Sequence, residues 1–213
     1  VGGVSRVVYF STVAVYGEAT PPEGITEDAP PAPVTPYAET KLRGETLVTD
    51  WATRTGKTSV ILRLATVYGA RDRGNMARMA DAVRRGRFVL PGSGANRKTI
   101  VAVETVAQIA VNAAFSEDVP NGLPVVVADA GGAVTLREIA LDMARAAGVP
   151  DAHALRSVPL PVLRVAATII ESAYRVARPG KSPPITATQV ERLAADNVYL
   201  TERMTALLAP HAP

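Results

Sequence analysis

Apolar positions in this chain alternate between two rhythms. Val4 to Thr12 (VSRVVYFST) and Ser59 to Leu64 (SVILRL) carry short runs of β-branched and aromatic residues. Runs of this kind mark strands buried on both faces. Between them, Tyr37 to Thr55 reads as a helix. Thr35 suits the N-cap, Pro36 the first helical position and Gly56 a left-handed stop. Strand, helix and strand in this order predict a parallel crossover and an α/β fold.

The rest of the chain continues the alternation. Glu18 to Pro36 is a proline-rich loop, expected either to pack as the border of a site or to move. Asn75 is expected to cap a helix running to about Arg85 and ended by Gly86. Phe88 to Leu90 and Thr99 to Val103 read as short strands around a Pro91-Gly92-Ser93-Gly94-Ala95-Asn96 loop. Glu104 opens a helix with apolar Val106, Ala107, Ile109, Ala110 and Ala113, and Val125 to Ala128 is another buried strand. Thr135 and Glu138 form a capping box for a helix stopped by Gly148 and Pro150. Leu160 to Ala177 is mostly apolar but carries Arg164, Glu171 and Arg175. Those charges argue against a membrane span. The segment is expected to pack on its own domain rather than lie on a membrane surface. A Pro/Gly linker at 178–184 precedes helices expected over Thr186 to Asp196 and Thr201 to Leu208.

Composition narrows the field. The 213 residues are 47% hydrophobic and 20% charged, which suits a domain with a real core. There is no cysteine, which excludes disulfides and thiolate metal sites and fits a cytoplasmic setting. The net charge of +3 is scattered, so nucleic acid is not an expected partner. No leader pattern of basic, apolar and cleavable segments opens the chain. Because it begins with Val directly before a buried-type strand, it is expected to be the C-terminal part of a longer protein. His153 and His211 lie in Pro/Ala-rich context and are expected at the surface.

The candidate chemistry lies in Pro36-Tyr37-Ala38-Glu39-Thr40-Lys41. Tyr37 and Lys41 are four apart, so they share one helix face. An ammonium beside a phenol favours the phenolate, which makes the phenol a useful proton donor and acceptor near neutral pH. Chance alone produces such a pair in about one such sequence in ten, so the pair needs company. Ser11 and Thr12 end a strand, and in open α/β sheets ligands bind beyond those ends.

Four stretches taken in order supply that company: STVAVYG, PYAETK, LRLATVYG and GSGANRKTIVAVETVA. Together they resemble the extended short-chain dehydrogenase/reductase family, the NAD-dependent epimerases and dehydratases. The tail PPITATQVERLAADNVYL is similar to the reductase-like branch that includes 3β-hydroxysteroid dehydrogenases and dihydroflavonol reductases.

The resemblance implies the C-terminal half of a doubly wound, Rossmann-type parallel sheet, formed by residues 1–66 and 104–129. Residues 67–103 and 130–213 would form a smaller substrate-binding domain. It implies Tyr37 as acid/base, with Lys41 favouring its phenolate and holding the nicotinamide ribose of NAD or NADP. Thr12 would hydrogen-bond the substrate oxygen, with Ser11 in support on the cofactor side. The backbone at Leu64 and Ala65 would face the nicotinamide, and Thr66 the substrate. Arg97 or Lys98 would meet a substrate phosphate. The expected activity is that of an epimerase, dehydratase or reductase acting on a sugar nucleotide or a hydroxy/keto compound. The alternatives are a 3β-hydroxysteroid-dehydrogenase-like carbonyl reductase and a non-catalytic fragment that no longer holds the cofactor. Expected partners are a small-molecule substrate and, when the protein is complete, a second copy.

The sequence also departs from the family pattern. The glycine turn G-x-x-G-x-x-G does not occur: Gly2-Gly3 precede a strand, and Gly92-Ser93-Gly94 precedes a basic strand. The main cradle for a pyrophosphate is therefore expected to be missing. Ala70 stands where proline is common, and Glu104-Thr105 replaces a frequent Asp-Asp.

Overall fold

A computed structural model describes residues 3–150, 155–178 and 183–208. His153, His211 and the middle of the proposed 178–184 linker lie outside the described residues. The chain divides into two compact units, Val1–Arg71 with Thr99–Ala133 and Asn197–Pro213, and Asp72–Lys98 with Val134–Asp196.

The first unit is built on a parallel sheet of β1 (Arg6–Thr12), β2 (Thr58–Leu64) and β7 (Pro124–Val127), in the order β1-β2-β7. The register pairs Arg6 with Thr58 and Thr12 with Leu64, so β1 and β2 end level. Side chains of β2 alternate between two covering layers, as the pleat requires. Val60 and Leu62 enter a core with Val106, Ile109 and Ala113 of α3 (Val103–Phe115). Arg63 turns the other way, to Glu45 of α1 (Pro36–Thr55). Helix α1 begins as its sequence predicts: the Thr35 hydroxyl accepts from the Ala38 N–H, and Gly56 ends the helix at φ 65°. Gly44 brings α1 close to β1, because a Cβ there would overlap the Tyr9 hydroxyl.

A short parallel pair, β3 (Thr66–Tyr68) with β6 (Ile100–Ala102), completes this unit with a 3-10 turn at Val13–Tyr16. The Glu18 to Pro36 loop is anchored rather than loose. Ile25 bridges to Tyr199, and the buried Glu27 carboxylate accepts from the backbone of Val126 (2.7 Å) and Arg203 (2.8 Å). Burial raises the Glu27 pKa above the usual carboxylate range, against those two bonds. The tail from Asn197 packs here too, with Met204 and Leu207 in the α3 core. The expected division of the chain groups this tail with residues 130–196 instead.

The second unit holds α2 (Asn75–Arg84), β4 (Val89–Pro91), β5 (Arg97–Lys98), β8 (Val134–Thr135), α4 (Leu136–Ala146), β9 (Arg156–Val158), α5 (Leu160–Ala177) and α6 (Ala187–Ala194). Strand β4 pairs with β9 in parallel, and β5 with β8 antiparallel. The Thr135–Glu138 capping box forms as expected. Asn75 is not the cap of α2. Asp72 serves instead, accepting from Gly74 N–H at 2.6 Å and Ala77 N–H at 2.8 Å, because its carboxylate reaches two orphan donors at once. Helix α5 packs along α6 in the same unit, with Ala167 its fully buried residue. Among the described residues, no helix is long and apolar enough to cross a membrane.

Candidate functional site

The face carrying Tyr37 continues to Lys41 and Glu45, one turn apart each, and Lys41 and Glu45 meet the C-terminal end of β1 at Phe10 and Ser11. The Lys41 ammonium donates to the Phe10 carbonyl at 2.8 Å. It lies 5.9 Å from the Tyr37 ring centroid and 5.5 Å from that of Tyr9. One of its three protons is thus committed to the strand, and two remain available. Tyr37 is 58% exposed.

Thr12, the next strand position but one after Phe10, N-caps the 3-10 turn. Its hydroxyl oxygen accepts from the Ala14 N–H at 3.2 Å. That bond uses a lone pair, so the hydroxyl proton stays free to be donated. Ser11 faces inward. It is buried and donates to Glu45 Oε1. Its hydroxyl is engaged inside the fold. Glu45 also receives Arg63, through Nε at 3.0 Å and Nη2 at 2.6 Å. The Arg63 guanidinium lies over the Tyr16 ring, 4.6 Å from its centroid.

Leu64 ends β2 and packs against the α3 core. Ala65 is buried, with its N–H given to the Val127 carbonyl at 3.0 Å. Thr66 follows on β3 with an exposed side chain. Three other phenols are held in place: Tyr16 donates to the Glu27 carbonyl, Tyr68 to Asp129 at 2.7 Å, and Tyr199 lies buried. Burial raises the Tyr16 pKa, the Asp129 bond raises Tyr68 to about 12, and burial raises Tyr199 to about 12. Thr105, at the departure from Asp-Asp, donates to Asp129 at 3.0 Å.

The basic pair sits in the second unit and splits in two. Lys98 donates to the carbonyls of Arg192 (3.0 Å) and Ala195 (2.6 Å), at the C-terminal end of α6. A cation there satisfies orphan carbonyls and opposes the helix dipole, so this ammonium is engaged in structure. Burial pushes it down to about 8. Arg97 fixes its own N–H on Asp196 at 2.6 Å and leaves its side chain exposed.

Two residues of the site escaped sequence reasoning, Glu45 and Arg63. Both left a signal: Arg63 interrupts an apolar strand, and Glu45 stands four residues after Lys41 on the same face. A charge inside a buried strand requires a partner.

The model of the NAD dependent epimerase/dehydratase family matches residues 2–128. The chain is 28% identical over 215 residues to a 2-alkyl-3-oxoalkanoate reductase of Stenotrophomonas maltophilia, covering 94% of this chain and 62% of the relative. It is 46% identical over 70 residues to a UDP-glucose 4-epimerase of Azospirillum brasilense, covering 32% of this chain and 19% of the relative. Its fold is similar to that of the UDP-glucose 4-epimerase of Thermus thermophilus in complex with NAD, with a TM-score of 0.61 at 24% identity. That match covers 95% of this chain and 58% of the solved one. The chain thus spans less than two thirds of each of these proteins.

Proposed function

The chain belongs to the NAD dependent epimerase/dehydratase family, and from that membership we propose that it carries the acid/base half of an NAD(P)-dependent reductase acting on a hydroxy or keto compound. The observation that carries this reading is the Lys41–Phe10 bond, which pins the Tyr37 face against the strand end that also bears Thr12. The family itself supports an NAD-dependent enzyme.

When bound, the nicotinamide exchanges a hydride with the substrate carbon. The residues of this chain handle the oxygen on that carbon. The free proton of the Thr12 hydroxyl donates to it and fixes its direction. The Tyr37 phenol gives it a proton in reduction and takes one in oxidation. Lys41 keeps positive charge beside the phenol and has two donors left for ribose hydroxyls. Ser11 acts through Glu45, as a positioning residue that holds the strand end. Leu64 and Ala65 would wall the nicotinamide side, and Thr66 the substrate side. No G-x-x-G-x-x-G motif occurs among the 213 residues, and on this reading the pyrophosphate would be held chiefly by residues outside them.

The keto reading is favoured by the match that runs along 94% of the chain, to a reductase. The engagement of Lys98 also removes one of the two cations expected to clamp a diphosphate. A second reading, epimerisation of a sugar nucleotide, is favoured by the 46% identity to a UDP-glucose 4-epimerase. The two differ in redox balance. A reductase consumes NAD(P)H one-for-one with a 3-oxo acid. An epimerase returns the hydride to the same carbon and leaves no net cofactor change. Loss of NAD(P)H absorbance with a 2-alkyl-3-oxo acid supports the first reading. Conversion of UDP-glucose to its 4-epimer without net absorbance change overturns it.

A further inference from the structure

The pleat of β1 turns two of its side chains toward α1. Ser11 reaches Glu45, and Tyr9 reaches the turn of α1 that carries Lys41 and Gly44. The Tyr9 hydroxyl donates to the Lys41 backbone carbonyl at 3.3 Å. Its ring centroid lies 5.5 Å from the Lys41 ammonium, within the reach of a cation–π contact. Phe10, between Tyr9 and Ser11, supplies the carbonyl that accepts from the same ammonium at 2.8 Å.

The helix is shaped to admit Tyr9. A glycine inside a helix destabilises it relative to alanine, and Gly44 stands in the interior of α1. A Cβ at that position would overlap the Tyr9 hydroxyl and the ring carbon that bears it. A shorter aliphatic side chain on β1 would pack there without the notch; the glycine admits a phenol.

The way the ammonium is held bears on its charge. The carboxylate one turn further along its face, Glu45, is taken up by Arg63 and Ser11. Lys41 is held instead by the Phe10 carbonyl and by the rings of Tyr9 and Tyr37, the latter at 5.9 Å. A carboxylate partner would fix the ammonium but cancel its field at Tyr37. A carbonyl and ring faces fix it with its charge intact. Tyr9 is itself no rival for the proton transfer. Burial raises its pKa, and the nearby Glu45 and Tyr37 add to the rise, so its hydroxyl stays a donor.

We propose that Tyr9 is a positioning residue, whose ring and hydroxyl set the place of the Lys41 ammonium beside Tyr37. The inference rests on the acid/base reading given above and adds to it a residue that acts through Lys41.

The test reads Lys41 directly, by NMR of the full chain with isotope-labelled lysine. The ε-methylene protons of Lys41, assigned by their loss in Lys41→Met, are expected upfield of an unstacked lysine, with Overhauser contacts to the Tyr9 ring. Tyr9→Leu should move them toward the unstacked position, and Tyr9→Phe should leave them upfield. Gly44→Ala displaces the Tyr9 ring and should move them as Tyr9→Leu does. Added to Tyr9→Leu, it should cause little further change. In an active preparation Tyr9→Leu should lower turnover by about 10–10²-fold, the scale of a misplaced catalytic group, and Tyr9→Phe should recover most of it. Should Tyr9→Leu not fold, the wild type decides: an unshifted Lys41 without contacts to the Tyr9 ring overturns the proposal. An upfield shift that survives Tyr9→Leu overturns it as well, because the Tyr37 ring then accounts for it. If the shift is lost but turnover is kept, while Tyr37→Phe is inactive, Tyr9 has no positioning role and the acid/base reading stands. A fully active Tyr37→Phe removes that reading and this role together.

Discussion

Glu45 and Arg63 form a two-point ion pair inside the first unit, at 3.0 and 2.6 Å, joining helix α1 to strand β2 directly beneath the residues that carry the proposed chemistry. Both side chains are almost wholly buried, 6% and 5% exposed. Burial alone would lower the Arg63 pKa, but the Glu45 bond more than offsets it and the net direction is upward. The pair also receives the Ser11 hydroxyl, so β1, β2 and α1 meet at one carboxylate.

Breaking that pair from one side leaves a buried charge without its partner. Glu45→Gln or Arg63→Met is expected to cost about 3–5 kcal/mol, whereas the combined Glu45→Met/Arg63→Met change should recover most of the loss. Urea denaturation of the two single variants and the double variant measures the coupling. Simple additivity of the two losses would show that the pair is not a unit.

Lys98 predicts a pH dependence of stability. Burial pushes its pKa down to about 8 in the folded chain, against about 10.4 for an unfolded lysine. Between those values the unfolded chain keeps a proton that the folded chain has released, so this residue makes stability rise with pH across that window. Below it both forms are charged and the slope vanishes. Thermal melts of the wild type and Lys98→Met should therefore diverge as pH rises from about 8 to 10, with the wild type gaining. A constant difference would contradict the shifted lysine. Arg97→Ala, at an exposed side chain, should move stability by less than about 0.5 kcal/mol. A strong rise in its KM would favour a phosphorylated substrate.

The parallel crossover was legible because Val60-Ile61-Leu62 and the capped α1 obey local rules that tertiary packing has no reason to override. The Tyr37–Lys41 pair was legible for the same reason, since four-residue spacing fixes a shared face. Three features needed long-range contacts. Ser11 and Thr12 are adjacent and chemically alike, yet the pleat sends Ser11 inward to Glu45 and leaves Thr12 at the turn. Lys98 looks like a solvated charge until α6, nearly a hundred residues later, places its carbonyl ends beside it. Strands β8 and β9 are too short to carry a period and exist only through their partners β5 and β4.

Cofactor affinity of this chain is a further prediction. With no G-x-x-G-x-x-G among these residues, the 213-residue chain by itself is expected to bind NAD(P)H weakly, through the Tyr37–Lys41 end alone. Fluorescence titration measures it directly. Micromolar affinity of this chain would show that other backbone donors hold the pyrophosphate.

The proposed acid/base rests on Tyr37, and a single oxygen decides it. Tyr37→Phe keeps the ring and removes the hydroxyl, from a side chain that is 58% exposed. In an active preparation, turnover is expected to fall by about 10²–10⁴-fold, the usual loss for a general acid/base. Stability should change by less than about 1 kcal/mol, as exposed substitutions do, and cofactor affinity should hold. Lys41→Met is expected to act more broadly. It deletes the 2.8 Å bond to the Phe10 carbonyl, the charge beside the phenol and the two spare donors proposed for the ribose. Turnover and cofactor affinity should both drop. The contrast between the two variants is the discriminating result. If Tyr37→Phe leaves turnover intact, Tyr37 is a surface residue of α1 and another group moves the proton. If Lys41→Met lowers turnover but not cofactor affinity, the ammonium serves the phenol alone.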